Sequence, residues 1–322
     1  MPDHNSLVRR LINGARMPGL AIWGRLFWGV AVAMPALMTT EALAQATCGL
    51  RGGLPPRSQA LSMAVRGQID EALKIAPDNF VAGYVAYLGR RHDLALQHLA
   101  TFAQRAHQQS NKNRRSEMLA KAGYWSTRIL SEMGRTQEAA AMRQATLRHP
   151  GTFYALLTDA ANAIPPRTNY PAPQFVYTDR RASNALVLAI TREESRFNPR
   201  ALSHAGAQGM MQVMPGTARR VASWANVPVD MARVRSDPNY NVALGSTYLG
   251  FLLDRYKNYP PLAAAGYNAG EGCADRWIQT LGDPRGQVDP LLWIEAIPIQ
   301  ETREYIKKVM AAFTVYRSHG AR

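Results

Sequence analysis

Residues 184–199 read N-A-L-V-L-A-I-T-R-E-E-S-R-F-N-P. Leu186, Ile190 and Glu194 are spaced four residues apart, so they share one face of a helix. That face is apolar for two turns and then ends in a carboxylate. Asn198-Pro199 follows, and a proline drives the residue before it away from helix. The pattern puts Glu194 at the end of a core-facing stripe, partly shielded from water. Desolvation raises a carboxyl pKa, and a raised pKa is what a general acid needs near neutrality. Glu193 points about 100° away around the helix, so the two glutamates do not form a facing pair. On spacing alone, an ordinary helix-end glutamate has the same appearance.

Downstream, residues 203–217 read S-H-A-G-A-Q-G-M-M-Q-V-M-P-G-T, with Gly206 and Gly209 where tight turns or close ligand approach call for glycine. Residues 267–272 read Y-N-A-G-E-G, directly after an apolar run. Residues 295–309 read E-A-I-P-I-Q-E-T-R-E-Y-I-K-K-V, with Pro298 before a new helix. Singly, each is a turn or a helix end.

In order and spacing, the set E-S-R-F-N-P, G-A-Q-G-M-M-Q-V-M-P-G-T-A, N-V-A-L-G-S-T-Y-L, Y-N-A-G-E-G and I-P-I-Q-E-T-R-E-Y-I-K-K-V resembles the soluble lytic transglycosylases, the Slt family. The resemblance covers about residues 182–318. It implies a lysozyme-like, mainly helical catalytic domain acting on peptidoglycan between N-acetylmuramic acid and N-acetylglucosamine. Glu194 matches the family's catalytic glutamate, and Ser195 the serine that orients the acid or the substrate's N-acetyl group. Gly209, Gln212 and Met214 fall in the substrate groove, as do Tyr267 and Asn268. Glu301 matches a second groove carboxylate and Tyr305 a nearby aromatic. The departures are Glu193 where Gln is common, Glu271 where Pro is common, and Cys273 in a usually polar position.

Further upstream, residues 58–150 are rich in Ala, Leu, Gln and Arg, a composition that favours helix. The pattern predicts helices over about 58–75, 79–89, 93–109, 114–133 and 136–148. Gly134 is placed to end one of them, and Thr136 to cap the next. Paired helices at this spacing suggest tetratricopeptide-like hairpins. W-S-T-R-I-L-S-E-M-G-R-T-Q-E-A-A-A, then H-P-G-T-F-Y-A-L-L, is similar to the repeats preceding the catalytic domain in large Slt members. Such a segment serves either as a support packed on its neighbour or as a surface for glycan or cell-wall-spanning machinery. Pro165, Pro166, Pro171 and Pro173 mark residues 161–180 as a linker. The fold expected is therefore all-α: a repeat-like segment (45–160), a Pro-rich linker (161–180) and a catalytic domain (181–322).

The first 44 residues read as an address. Leu26–Met38 is an uncharged apolar run of 13 behind Arg9, Arg10, Arg16 and Arg25, followed by Ala42-Leu43-Ala44. Basic region, short apolar core and small-residue cleavage site make a secretory signal. The run is shorter than the ~20 residues of a spanning helix, so a membrane link would need the signal to stay uncleaved. Export to the periplasm permits a disulfide, with Cys48 and Cys273 the sole cysteines. They either bridge or are two unrelated buried thiols. The sequence carries no cofactor motif and no metal-ligand spacing.

The 38 Lys and Arg against 23 Asp and Glu give a net charge of +15, and residues 1–44 account for only +2 of it. The rest is spread over residues 45–165 (15 basic, 8 acidic) and 166–322 (19 basic, 13 acidic), with no basic tail of the kind that nucleic-acid binders carry. A diffuse positive excess suits long-range attraction to a carboxylate-bearing wall.

One well-supported acid is fewer than the two carboxylates most glycosidases use. Substrate-assisted chemistry resolves this: the substrate's own N-acetyl oxygen stabilises the charge at C1, and the C6 hydroxyl closes a 1,6-anhydro ring. Two other readings stand beside it: a goose-type lysozyme-like muramidase that hydrolyses the same bond, and a peptidoglycan-binding scaffold with little catalysis.

Overall fold

The computed structural model describes residues 48–177, 179–225 and 228–321. The proposed export segment lies outside the described residues. Among them no strand forms; two isolated bridges, Leu202 with Gln208 and Gln208 with Val213, are the only extended pairings. The protein is all-α, as its sequence implies. No described helix is long and apolar enough to cross a membrane.

The N-terminal half comprises α1 (Pro56–Val65), α2 (Ile69–Ile75), α3 (Asn79–Leu88), α4 (His92–His107), α5 (Lys112–Glu132) and α6 (Thr136–Leu147). From α3 to α6 each helix packs on the next. Glycines at the crossings permit the approach: a Cβ on Gly83 would press on the Ala95 carbonyl at 3.3 Å, and one on Gly123 would collide with Thr146. Asp78 and Asn111 cap α3 and α5 through their side chains.

Two local expectations need correction. The stretch 58–75 is two helices, because Gly67 adopts φ +82° and turns the chain between them. Thr136 is not a cap: after Gly134 at φ +74° the chain rewinds at once, Arg135 is the cap residue, and Thr136 already belongs to α6.

Short helices α7 (Phe153–Thr158) and α8 (Ala160–Ala163) and a 3-10 turn (Arg167–Asn169) lead into the Pro-rich stretch. This stretch is held down by Tyr170, which packs edge-on against Tyr316, and by Tyr316 donating to the Pro171 carbonyl at 2.8 Å.

The C-terminal half contains α9 (Asn184–Ser195), α10 (Pro215–Trp224), α11 (Met231–Ser236), α12 (Pro238–Arg255), α13 (Pro260–Ala269), α14 (Glu271–Leu281), α15 (Pro290–Ala296) and α16 (Gln300–Ser318). Ser183 caps α9, and Ala185 through Thr191 are all buried. Helix α9 lies along α16, which also carries α13. One continuous buried apolar cluster runs from Cys48 to Tyr316 through both halves.

Two devices tie the halves together. Cys48 and Cys273 form a disulfide that joins the start of the described chain to α14, and Trp277 Nε1 donates to the Cys48 carbonyl at 3.0 Å. The second is the carboxylate of Glu295 on α15, fully buried. It accepts from Arg57 of α1 at 2.7 Å, Tyr154 of α7 at 2.8 Å and Lys307 of α16 at 3.1 Å. Lys121 of α5 stands 2.7 Å away. Burial alone would raise the Glu295 pKa, but Lys121, Lys307 and Arg57 outweigh it and hold the carboxyl well below its ordinary value. Replacing Glu295 with Ala leaves Lys121 without a counter-charge among the described residues and takes one of two carboxylate partners from Arg57 and from Lys307. Loss of one partner of a buried ion pair costs about 3–5 kcal/mol. Urea unfolding of E295A should show a loss of that order, and a loss below about 1 kcal/mol would contradict the central role given to this carboxylate.

Candidate active site

Helix α9 ends at Ser195 because Arg196 and Phe197 both turn left-handed, at φ 51° and 64°. The chain then folds back through residues 198–213 as a loop packed over the end of α9. Glu194 thus stands where the core-facing stripe meets this loop. Its Oε1 accepts from Tyr305 Oη of α16 at 2.6 Å. Burial pushes the Glu194 carboxyl up to about 7, against the opposing pull of the Tyr305 hydrogen bond, and repulsion from Glu193 and Glu301 adds to the rise. A carboxyl half protonated near neutrality can give a proton and take one back.

The loop is braced from several sides. Ser195 Oγ donates to the Met210 carbonyl at 2.6 Å, and Tyr267 Oη to the Met211 carbonyl at 2.9 Å. Gln212, itself at φ 48°, donates from Nε2 to the carbonyls of Gly209 (3.0 Å) and Ala201 (3.1 Å). Gly209 sits at φ +75° against α12, where a Cβ would collide with Asn241. Asn268 at the end of α13 accepts from Thr302 Oγ1 at 2.6 Å. Met214, 40% exposed, opens α10, and Glu301 is exposed on the first turn of α16.

The residues singled out by sequence fall into two groups. Glu194 and Tyr305 are directly bonded, and Tyr267 is close enough for the Glu194 charge to raise its phenol pKa. Ser195, Gly209 and Gln212 use their polar groups or their backbone freedom to shape the loop. Glu193, about 100° away around α9, lines a separate cavity, and only its charge reaches Glu194.

Three features had no role assigned from the sequence, although two lie in the quoted motif N-V-A-L-G-S-T-Y-L and the third was named only as a departure. Asn241 is buried, accepts from Met211 N at 2.8 Å and donates to the carbonyls of Gln208 and Val234 at 2.8 and 2.9 Å. One amide side chain therefore fixes the loop on α12. Gly245, one turn on, leaves room for Met211 and for Tyr267 Oη, which a Cβ would approach to 2.7 and 2.9 Å. Their i, i+4 spacing, an amide and then a glycine on one helix face, was the available signal. Third, Glu271 pairs with Arg220 at 2.6 Å and accepts from Tyr248 at 2.6 Å. Burial opposes its ionisation, but these two bonds prevail and hold it at about 2. Arg220 in turn lies over the rings of Trp224, Tyr248 and Phe251.

Residues 175–289 match the family model described as Transglycosylase SLT domain. Over that stretch the chain is similar to that domain. The soluble lytic murein transglycosylase of Salmonella typhimurium is 37% identical over 136 residues, 42% of this chain and 21% of that relative. Its counterpart in Escherichia coli is 37% identical over 131 residues, 40% of this chain and 20% of that relative. The membrane-bound lytic murein transglycosylase C of Cronobacter sakazakii is 30% identical over 184 residues, 48% of this chain and 50% of the relative. The matched part spans only about a fifth of the soluble relatives. A solved 70-kDa soluble lytic transglycosylase in complex with bulgecin A superposes with a TM-score of 0.51 at 19% identity, covering 89% of this chain and 54% of that one. At that identity the likeness is one of fold. It reaches beyond the SLT domain into the N-terminal helices, since 89% of this chain is covered.

Tyr305 lowers the Glu194 pKa through its hydrogen bond. Changing Tyr305 to Phe removes that pull and leaves burial unopposed, so the carboxyl should hold its proton to higher pH. For a general acid, activity falls as pH rises through the pKa. The falling limb of the Y305F pH-rate profile should therefore lie at higher pH than the wild-type limb. A limb that stays in place or moves down would show that Tyr305 does not tune the acid.

Proposed function

We propose that this protein is a peptidoglycan lytic transglycosylase, cutting between N-acetylmuramic acid and N-acetylglucosamine and leaving 1,6-anhydro ends. The observation that carries this reading is Glu194: one carboxyl, raised to about 7 and bonded to Tyr305, with its neighbour Glu193 turned about 100° away to line a separate cavity. The names of the relatives point the same way.

In the proposed reaction, protonated Glu194 donates to the glycosidic oxygen as the C1–O bond breaks. The substrate's own N-acetyl oxygen stabilises the positive charge at C1, supplying what a second carboxylate supplies in most glycosidases. The Glu194 carboxylate then takes the proton from the C6 hydroxyl as its oxygen bonds to C1. The acid is regenerated, no water is consumed, and nucleophile and electrophile share one sugar, so ring closure gains from proximity. Gln212, Met214, Tyr267, Asn268 and Glu301 are assigned to the surrounding groove, with Ser195 at the end of α9 and Gly209 in the loop beneath it. Residues 1–44 are assigned as the export signal that delivers the protein to the periplasm, 45–160 as a short tetratricopeptide-like segment, and 161–180 as the linker to a catalytic domain over 181–322.

Digesting purified sacculi with wild type and E194Q in parallel, with mass spectrometry of the products, tests the assignment. Wild type should release anhydro-ended fragments. E194Q should lose at least about 10²–10⁴-fold in rate, the usual contribution of a general acid. Reducing ends would identify a hydrolase instead. An E194Q enzyme at wild-type rate, or no release by wild type, would end the catalytic reading.

A further inference from the structure

A cavity distinct from the Glu194 site opens elsewhere in the molecule. It has a volume of about 910 Å³ and lies between the N-terminal helices and the back of α9 and α16. Its walls come from both halves: Arg57, Lys121 and Tyr154 on one side, Arg192, Glu193 and Lys307 on the other. Pockets that hold small ligands run from roughly 300 to 1,000 Å³, so the space suits a short peptide.

Its charge is unbalanced in a specific way. Eight Lys and Arg side chains line it against four Asp and Glu. At the floor, Arg57, Lys121 and Lys307 converge on the single carboxylate of Glu295, with Glu304 and Asp78 each taking one further bond. Burial and the neighbouring cations Lys307 and Arg57 pull the Lys121 ammonium down to about 7, although Glu295 opposes them. At the rim, Arg114, Arg196 and Lys308 form no ion pair among the described residues, and all three are exposed. Glu117 adds a contrasting group: burial raises its carboxyl to about 7, against the pull of Lys307. Phe80 and Phe102 supply apolar wall. The set offers several cations for carboxylates, a buried acid for an ammonium, and aromatic surface between them.

We propose that this cavity is a second ligand site, for a short peptide carrying two or more carboxylates and one ammonium. Stem peptides of peptidoglycan have that chemistry, and naming them as the source rests on the cell-wall reading above. The ligand would touch Arg192 on the helix that carries Glu194, about 200° around it from that residue, and Arg196 just past the helix end. Strands bearing peptides are thereby held at two places and bare strands at one.

Isothermal titration of the full chain with a sugar-free stem tetrapeptide tests the site, with its fully amidated form and citrate as controls. The tetrapeptide should bind, and the amidated form should not. The exposed double reversal R114E/K308E should weaken binding about tenfold, the sum expected from two surface charge contacts. Cleavage of peptide-stripped glycan strands by R114E/K308E should match wild type, while its KM for peptide-bearing strands rises. No binding, equal binding to R114E/K308E, or citrate binding as tightly as the tetrapeptide would overturn the proposal. Peptide binding by a protein that cleaves neither kind of strand would uphold this site and remove the catalytic reading instead.

Discussion

The buried carboxylate of Glu295 is the constraint on which the arrangement of the two halves turns. Taking a carboxylate out of water is costly, and the cost is met only when charges and hydrogen bonds of good geometry surround it. Here the partners come from four different helices: Arg57 on α1, Lys121 on α5, Tyr154 on α7 and Lys307 on α16. Because each must reach one group, their helices have little freedom to slide or rotate. Apolar packing alone would tolerate such shifts far better, since it is not directional.

This constraint reaches the site through α16. Tyr305 and Lys307 are two residues apart on that helix, so they point roughly 200° away from each other around it. Lys307 held on Glu295 fixes the rotation of α16, and that rotation presents Tyr305 to Glu194. Helix α9 performs a similar division at its own end. Adjacent carboxylates project about 100° apart, Glu194 to Tyr305 and Glu193 to the cavity among the cations. Glu194 therefore bonds Tyr305 in a desolvated environment, while repulsion from Glu193 and Glu301 adds to the rise of its pKa.

Much of this was legible from sequence where one helix sufficed. The stripe Leu186, Ile190, Glu194 gave both the helix and the shielding of its last carboxyl, since each follows from period and local burial. The Slt-like motifs brought Tyr305 and Tyr267 into the same site. What escaped were groups whose meaning lies in distant partners. Glu295 stands in the apolar run L-L-W-I-E-A-I, an anomaly that signals a buried counter-charge. Its partners Arg57 and Tyr154 lie 238 and 141 residues away, a separation no local pattern encodes. Asn241 was hidden for the same reason, being an amide on a helix face whose hydrogen bonds go to a loop 30 residues earlier. The break at Gly67 inside an otherwise helical composition was missed because one glycine at left-handed φ outweighs the propensity of its neighbours.

The raised Glu194 pKa explains why such firm anchoring is useful. A carboxyl that is protonated more readily in the folded than in the unfolded chain binds more protons when folded. As pH rises from the ordinary glutamate value of about 4.5 towards about 7, the unfolded chain ionises first and folding loses free energy. At neutral pH the site therefore works against the fold, and removing the charge with Gln should stabilise the protein increasingly across that window. Glu295 acts with the opposite sign. Its pKa is held below the ordinary value, so its contribution is complete above about 4.5 and disappears only on acidification. The carboxylate that secures the two halves is thus fully ionised throughout the range in which Glu194 is only partly so. The protein can hold an uncomfortable acid near neutrality because a comfortable one, together with the disulfide at Cys48 and Cys273, holds the helices around it.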